Sequence, residues 1–177
     1  MAMLTDLENS LEKVFVKSAP KLPEKGKEML VSWLPWINLV LGILTLWSVY
    51  WLWQWANTAD ELVDLANDLS RAYGSGDVVA RDLTAMVWVG LVVLGIEAVL
   101  FLMAFPATRA RAKRGWDLMF YALLVNLVYG VLVIFTDYGG VGSFIGYLIG
   151  TVIGLWVLFQ IRSKYLGHKS TPAEPQA

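Results

Sequence analysis

The chain has 177 residues, 57% of them hydrophobic and only 16% charged, with a mean hydropathy of +0.56. An ordinary soluble domain is nearer half apolar and a quarter charged, so the composition excludes that class and indicates an integral membrane protein. A net charge of −1 favours neither acidic nor basic partners, and zero cysteines remove disulfides, thiolate metal sites and cysteine nucleophiles together.

The amino-terminal region, 1–34, is read as cytoplasmic and amphipathic. Charged residues from Asp6 to Lys25 interrupt any apolar run that a cleavable signal peptide would need. Leu4, Leu7, Leu11, Val14 and Phe15 recur at helical spacing, and Thr5 with Glu8 has the spacing of a capping box. Pro20 and Pro23 then break the helix, and Glu24 to Ser32 is expected to form a further turn or two leading into the bilayer. Such a helix lies on the headgroups or on the membrane domain unless a partner takes it.

The membrane domain, 35–166, is expected to hold four spans, at about 35–55, 83–105, 117–136 and 142–161, each near the length needed to cross about 30 Å of hydrocarbon. Trp33 and Trp36 at one end of the first span and Trp51, Trp53 and Trp55 at the other have the placing of interfacial aromatic belts. Trp47, Trp51 and Trp55 also share a helix face, which fits packing or belt better than a ligand groove.

Between the first two spans the chain is acidic, with Asp60, Glu61, Asp64, Asp68, Asp77 and Asp82 against Arg71 and Arg81. Thr58 and Glu61 repeat the capping-box spacing, and Leu62, Leu65, Ala66, Leu69 and Tyr73 form an apolar stripe that ends at Gly74-Ser75-Gly76. These features predict a separate, extracytoplasmic amphipathic helix lying across the mouth of the domain. Its carboxylates lack the turn geometry of a calcium loop, so they are read as a solvated face, with no metal site.

The second span carries Glu97, an ionisable residue well inside an apolar segment. Its Leu, Ile, Val and Phe residues contribute roughly −4 to −8 kcal/mol of insertion energy against about +3 kcal/mol for a central carboxylate, so insertion wins. Pro106 is expected to stop this helix, and Arg109, Arg111, Lys113 and Arg114 follow as a basic loop that can contact anionic lipid. In the third span Asn126 comes to nearly the same height as Glu97, with Thr151, Gly154, Gly42 and Thr45 in the same layer. Glu97 and Asn126 can therefore hydrogen-bond inside the membrane, with Asn38 and Thr151 as further polar groups. A proton or cation relay is one use of such a site. A hydrogen-bonded residue that fixes helix register is the other and, with no paired base, the preferred one.

Asp137-Tyr138-Gly139-Gly140 reads as a turn into the fourth span, where Gly142, Gly146, Gly150 and Gly154 stack on one helix face. A smooth glycine face lets another backbone approach closely, here expected to be one from the same chain before one from a second copy. The tail, 167–177, is polar with two prolines and is expected to be disordered; it holds the lone His168.

Lys and Arg number twelve on the side of the two termini and the second loop and two on the other. The positive-inside rule then places both termini in the cytoplasm of a cell whose plasma or inner membrane the chain spans. Neither a phosphate loop, a metal-ligand spacing nor a nucleophile elbow is present, so no catalytic residue and no cofactor is assigned, and nucleic acid is not an expected partner. Small four-span multidrug exporters share the helix count and a membrane glutamate, but they are shorter and carry less charge bias, and no family is recognised. The expected class is an all-α, polytopic four-helix bundle with a structural, assembly or interaction role. Its partners would be the lipid bilayer and either further copies or other membrane subunits. A proton- or cation-coupled transporter or channel using Glu97 is the alternative.

Overall fold

The structure, a computed structural model, describes residues 2–74, 82–134 and 141–166. The glycine stop at residues 75 and 76, Asp77, Arg81, the turn at 137–140 and the tail with His168 lie outside the described residues. Every described element is helical, and four helices are long and apolar enough to cross a membrane.

The chain opens with α1 (Ala2–Glu12), which runs into a π-helical turn (Lys13–Ser18) and ends, as the prolines require, in extended backbone at Ala19. The helix begins at Ala2, so Thr5 sits inside it and does not cap it. Leu11, Phe15 and Val16 turn inward onto the end of the membrane domain, with the Phe15 ring stacked on Phe159 at 6.0 Å.

Helix α2 (Glu24–Ala72) joins what the sequence suggested were separate elements. It runs on through Pro35 and through Thr58, where a separate helix was to begin. The Thr58 hydroxyl donates back to the Gln54 carbonyl at 3.1 Å instead of capping a new helix. The physical reason is that leaving the helix near lipid would strand backbone polar groups, which outweighs one proline or one polar side chain. At 49 residues α2 is about 74 Å long, more than twice the thickness of the hydrocarbon. The segment expected to lie across the mouth is thus part of the same continuous helix as the first span. Its apolar stripe of Leu62, Leu65, Leu69 and Tyr73 is between 53% and 84% exposed.

Helix α3 (Asp82–Arg109) also outruns its expected stop, because Pro106 falls in the last turn, where only one more turn follows. Backbone bonds from Ala110 to the Pro106 carbonyl and from Ala112 to the Ala107 carbonyl close the end. Arg111 then takes a left-handed φ of 50° to reverse the chain into α4 (Lys113–Ile134). The corner is tight because Gly115 has no side chain: a Cβ there would sit 2.6 Å from the Thr108 backbone nitrogen. The last helix, α5, runs Val141–Leu166, about a turn past the expected end of its span.

The long helices pack in chain order, each on the next, and α2 also meets α5, where Val31 and Leu34 share a buried cluster with Leu158, Ile161 and Tyr165. That junction is the core. The Trp116 indole donates to the Leu158 carbonyl at 2.8 Å, stacks on Phe120 and meets Phe159 edge-on, both at 5.3 Å. Aromatic pairs of this kind add about 0.5–1.5 kcal/mol each beyond the area they bury. The buried aromatic core thus lies at the end that carries the basic loop.

Candidate functional site

Glu97 and Asn126, placed at one height by helix arithmetic, are in contact: the Asn126 amide donates to Glu97 Oε1 at 3.1 Å. Glu97 is 8% exposed. One turn beyond Asn126, the Tyr129 hydroxyl lies 2.7 Å from the point a Cβ on Gly90 would occupy, so a side chain at position 90 would make that phenol shift. Tyr129 meets Tyr147 of α5 edge-on at 6.0 Å. Outside this seam runs a shallow groove of about 450 Å³ between α4 and α5, lined by Asn126, Tyr129, Val133, Gly146, Tyr147 and Gly150. A lone carboxyl with an amide donor can hold or release a proton, and the hydrogen bond fixes α3 against α4 in register.

The other polar groups expected inside the membrane do not join Glu97. Asn38 is fully buried near the core end, where its amide donates to Thr108 Oγ1 at 3.4 Å and ties α2 to α3; its own oxygen has no partner. The Thr108 hydroxyl in turn donates to the Ala104 carbonyl at 2.7 Å. Thr151 is buried with its hydroxyl unpartnered and does not join Glu97. Gly42 serves α2–α3 packing, with Leu102 2.8 Å from where its Cβ would be.

The glycine ladder divides. Among the described residues Gly154 packs against Leu123 at 2.7 Å, whereas a Cβ on Gly142, Gly146 or Gly150 would meet nothing within 4 Å. Helical spacing states that the four share a face, but which neighbour that face meets depends on how far the helices splay. The basic loop divides as well. Arg111 pairs with Glu28 at 3.1 Å and Lys113 with Asp117 at 2.8 Å, while Arg109 and Arg114 are exposed and make no bond among the described residues. Trp47, Trp51 and Trp55 line an open hollow of about 510 Å³ with Leu94. Among the described residues no group of three His, Asp or Glu side chains is placed to hold a metal ion, the acidic face of α2 included.

Sequence reasoning missed the clasp between the two ends of the chain. Arg162 donates to Glu8 at 3.0 Å and to Glu12, and its guanidinium lies 5.2 Å over the Trp116 ring. Gln160 donates to the Phe15 carbonyl at 2.9 Å and accepts from the Leu22 amide at 3.2 Å, and the Trp156 indole donates to the Pro20 carbonyl. Lys164 bridges Glu24 and Glu28, whose hydrogen bonds hold its ammonium above the usual lysine range. The carboxyls of Glu24, with Lys27 and then Lys164 beside it, and of Glu28, with Lys164 and Arg111, are held low in return. The only sequence signal was Glu8 and Glu12 one turn apart on α1 with a cation left over near the end of α5. No family model, curated protein or solved structure matches the chain.

Proposed function

We propose that this is a non-enzymatic membrane protein with an assembly or interaction role, held closed at one end and open to a second membrane helix at the other. The observation that carries the reading is the empty space beside Gly142, Gly146 and Gly150, on a helix face whose remaining glycine is tightly packed. Without a hydrophobic drive between helices in lipid, close backbone approach over small residues is the main source of affinity, and this face offers it. The exposed apolar stripe of Leu62, Leu65 and Leu69 is a second surface left uncovered among the described residues. Both termini and the basic loop face the cytoplasm in this reading, because twelve of the Lys and Arg residues fall on that side.

The test is association in bilayers. Two populations of the chain carrying donor and acceptor dyes should transfer energy, and Gly146→Ile with Gly150→Ile should abolish the transfer while the helical content stays unchanged. Absence of transfer in the unsubstituted chain, or transfer indifferent to both substitutions, refutes a self-associating face.

A second reading, a proton- or cation-coupled transporter, is favoured by one observation, the groove that opens beside Asn126 and Tyr129 next to Glu97. Glu97→Gln keeps an amide-compatible side chain in place and removes the titrating group. Loss of ion flux from proteoliposomes on that change supports the transporter, and unchanged or absent flux dismisses it.

A further inference from the structure

We propose that Arg109 and the tryptophan shelf of α2 form a site for one anionic phospholipid, with the phosphate on the guanidinium and an acyl chain along the shelf. Helices α2 and α3 run antiparallel, with Leu102 against Gly42 and the Phe105 ring 5.9 Å from Trp36. Arg109 lies one turn beyond Phe105 on that same side of α3, which brings it level with Ser32. There a hollow of about 570 Å³ opens, lined by Ser32, Trp33 and Trp36. Trp33 is 63% and Trp36 55% exposed, so the shelf is apolar, uncovered and at the end of a span, where acyl chains meet headgroups.

The charge at this mouth is unbalanced. Ser32 turns its hydroxyl back to the Met29 carbonyl at 2.9 Å, so the donors left at this height are the indole N–H groups of Trp33 and Trp36 and, from α3, the charged guanidinium of Arg109. Glu28, the acid one turn away on α2, is already engaged by Arg111 and Lys164. Arg109 has no bond to any described residue. A phosphodiester fits a guanidinium as paired acceptors, and one lacking a compensating cation of its own matches the uncompensated positive charge that Arg109 brings to this shelf. A choline headgroup brings such a cation and fits less well. This separates Arg109 from Lys113, which is equally basic and in the same loop but is held by Asp117 away from any shelf.

The experiment is to reconstitute the full chain in phosphatidylcholine bilayers containing a minority of phosphatidylglycerol, and to measure by native mass spectrometry which lipid remains bound. Arg109→Gln is expected to lower retained phosphatidylglycerol at least about fivefold, the equivalent of one basic residue's attraction at a membrane surface. Lys113→Gln should leave it unchanged. Trp33→Ala, which touches nothing in the core, should lower retention with Arg109 intact. Retention unaffected by Arg109→Gln or by Trp33→Ala overturns the site. So does an equal loss with Lys113→Gln, since that would mean diffuse attraction by the loop as a whole.

Discussion

Replacing Gly115 by alanine is the sharpest perturbation of the fold that the structure offers. A methyl group there would lie 2.6 Å from the Thr108 nitrogen and 2.8 Å from the Ala107 carbonyl carbon, both backbone atoms that cannot rotate aside. Overpacking costs about 1–3 kcal/mol, and the rigidity of this neighbour puts the cost in the upper half of that range. Against it stands a gain of at most about 1 kcal/mol from exchanging glycine for alanine in a helix, less in a first turn. A net loss of about 2 kcal/mol follows, roughly a thirtyfold change in the folding equilibrium. Gly146→Ala makes the contrast, because its methyl group would meet nothing within 4 Å. The folded monomer should lose no stability there. Reversible unfolding in mixed micelles, at dilutions where the chain is monomeric, measures both. A Gly115→Ala chain as stable as the parent, or a Gly146→Ala chain weakened by more than about 1 kcal/mol, would refute the assignment of which glycines hold the monomer together.

Arg162→Met should destabilise the chain by about 2–3 kcal/mol, because it leaves Glu8, whose side chain is only 12% exposed, without its cation. Adding Glu8→Gln should restore much of the loss in thermal unfolding, and a double variant no better than Arg162→Met alone would mean that the pair is not what Arg162 contributes. The bridge from Lys164 to Glu24 and Glu28 gives a pH window for the docking of the start of α2 on the end of α5. The two carboxyls sit below their ordinary 4.5, so their contribution is present above that pH and fades as pH falls through the lowered values. The ammonium sits above 10.5, so its contribution is complete below that pH and fades as pH rises beyond it. Exposed pairs are weak, so a distance measurement between spin labels at positions 25 and 163 should move at both extremes while the helical content does not. A distance that is flat across the range refutes the bridge.

The four apolar helices were legible because hydropathy accumulates over some twenty residues and survives any single exception, Glu97 included. The Glu97–Asn126 contact was legible for a similar reason, since rise per residue fixes height in antiparallel spans of known ends. Boundaries were less so. Pro35, Thr58 and Pro106 carry local stop or start signals, and each was overridden by the cost of leaving a helix near lipid. The direction of the glycine face was not legible at all. Periodicity gives the angle between Gly146 and Gly154 on α5 but not the splay that packs one against Leu123 and leaves the other bare. Asn38 is tied to Thr108, eleven residues along α3 from Glu97, and Thr151, expected in the Glu97 layer, is buried without a hydrogen-bond partner; spacing alone fixed neither outcome.

The clasp joins Glu8 to Arg162 across 154 positions of sequence. Synthesis runs from the amino end, so Glu8 leaves the ribosome long before its counterpart exists. The leading segment must therefore wait, uncommitted, while every span is laid into the bilayer, and the knot of aromatic rings beneath it can be tied only when the final helix arrives. A nascent chain halted anywhere before Trp156 would own all the makings of that knot on one side and nothing to tie them to.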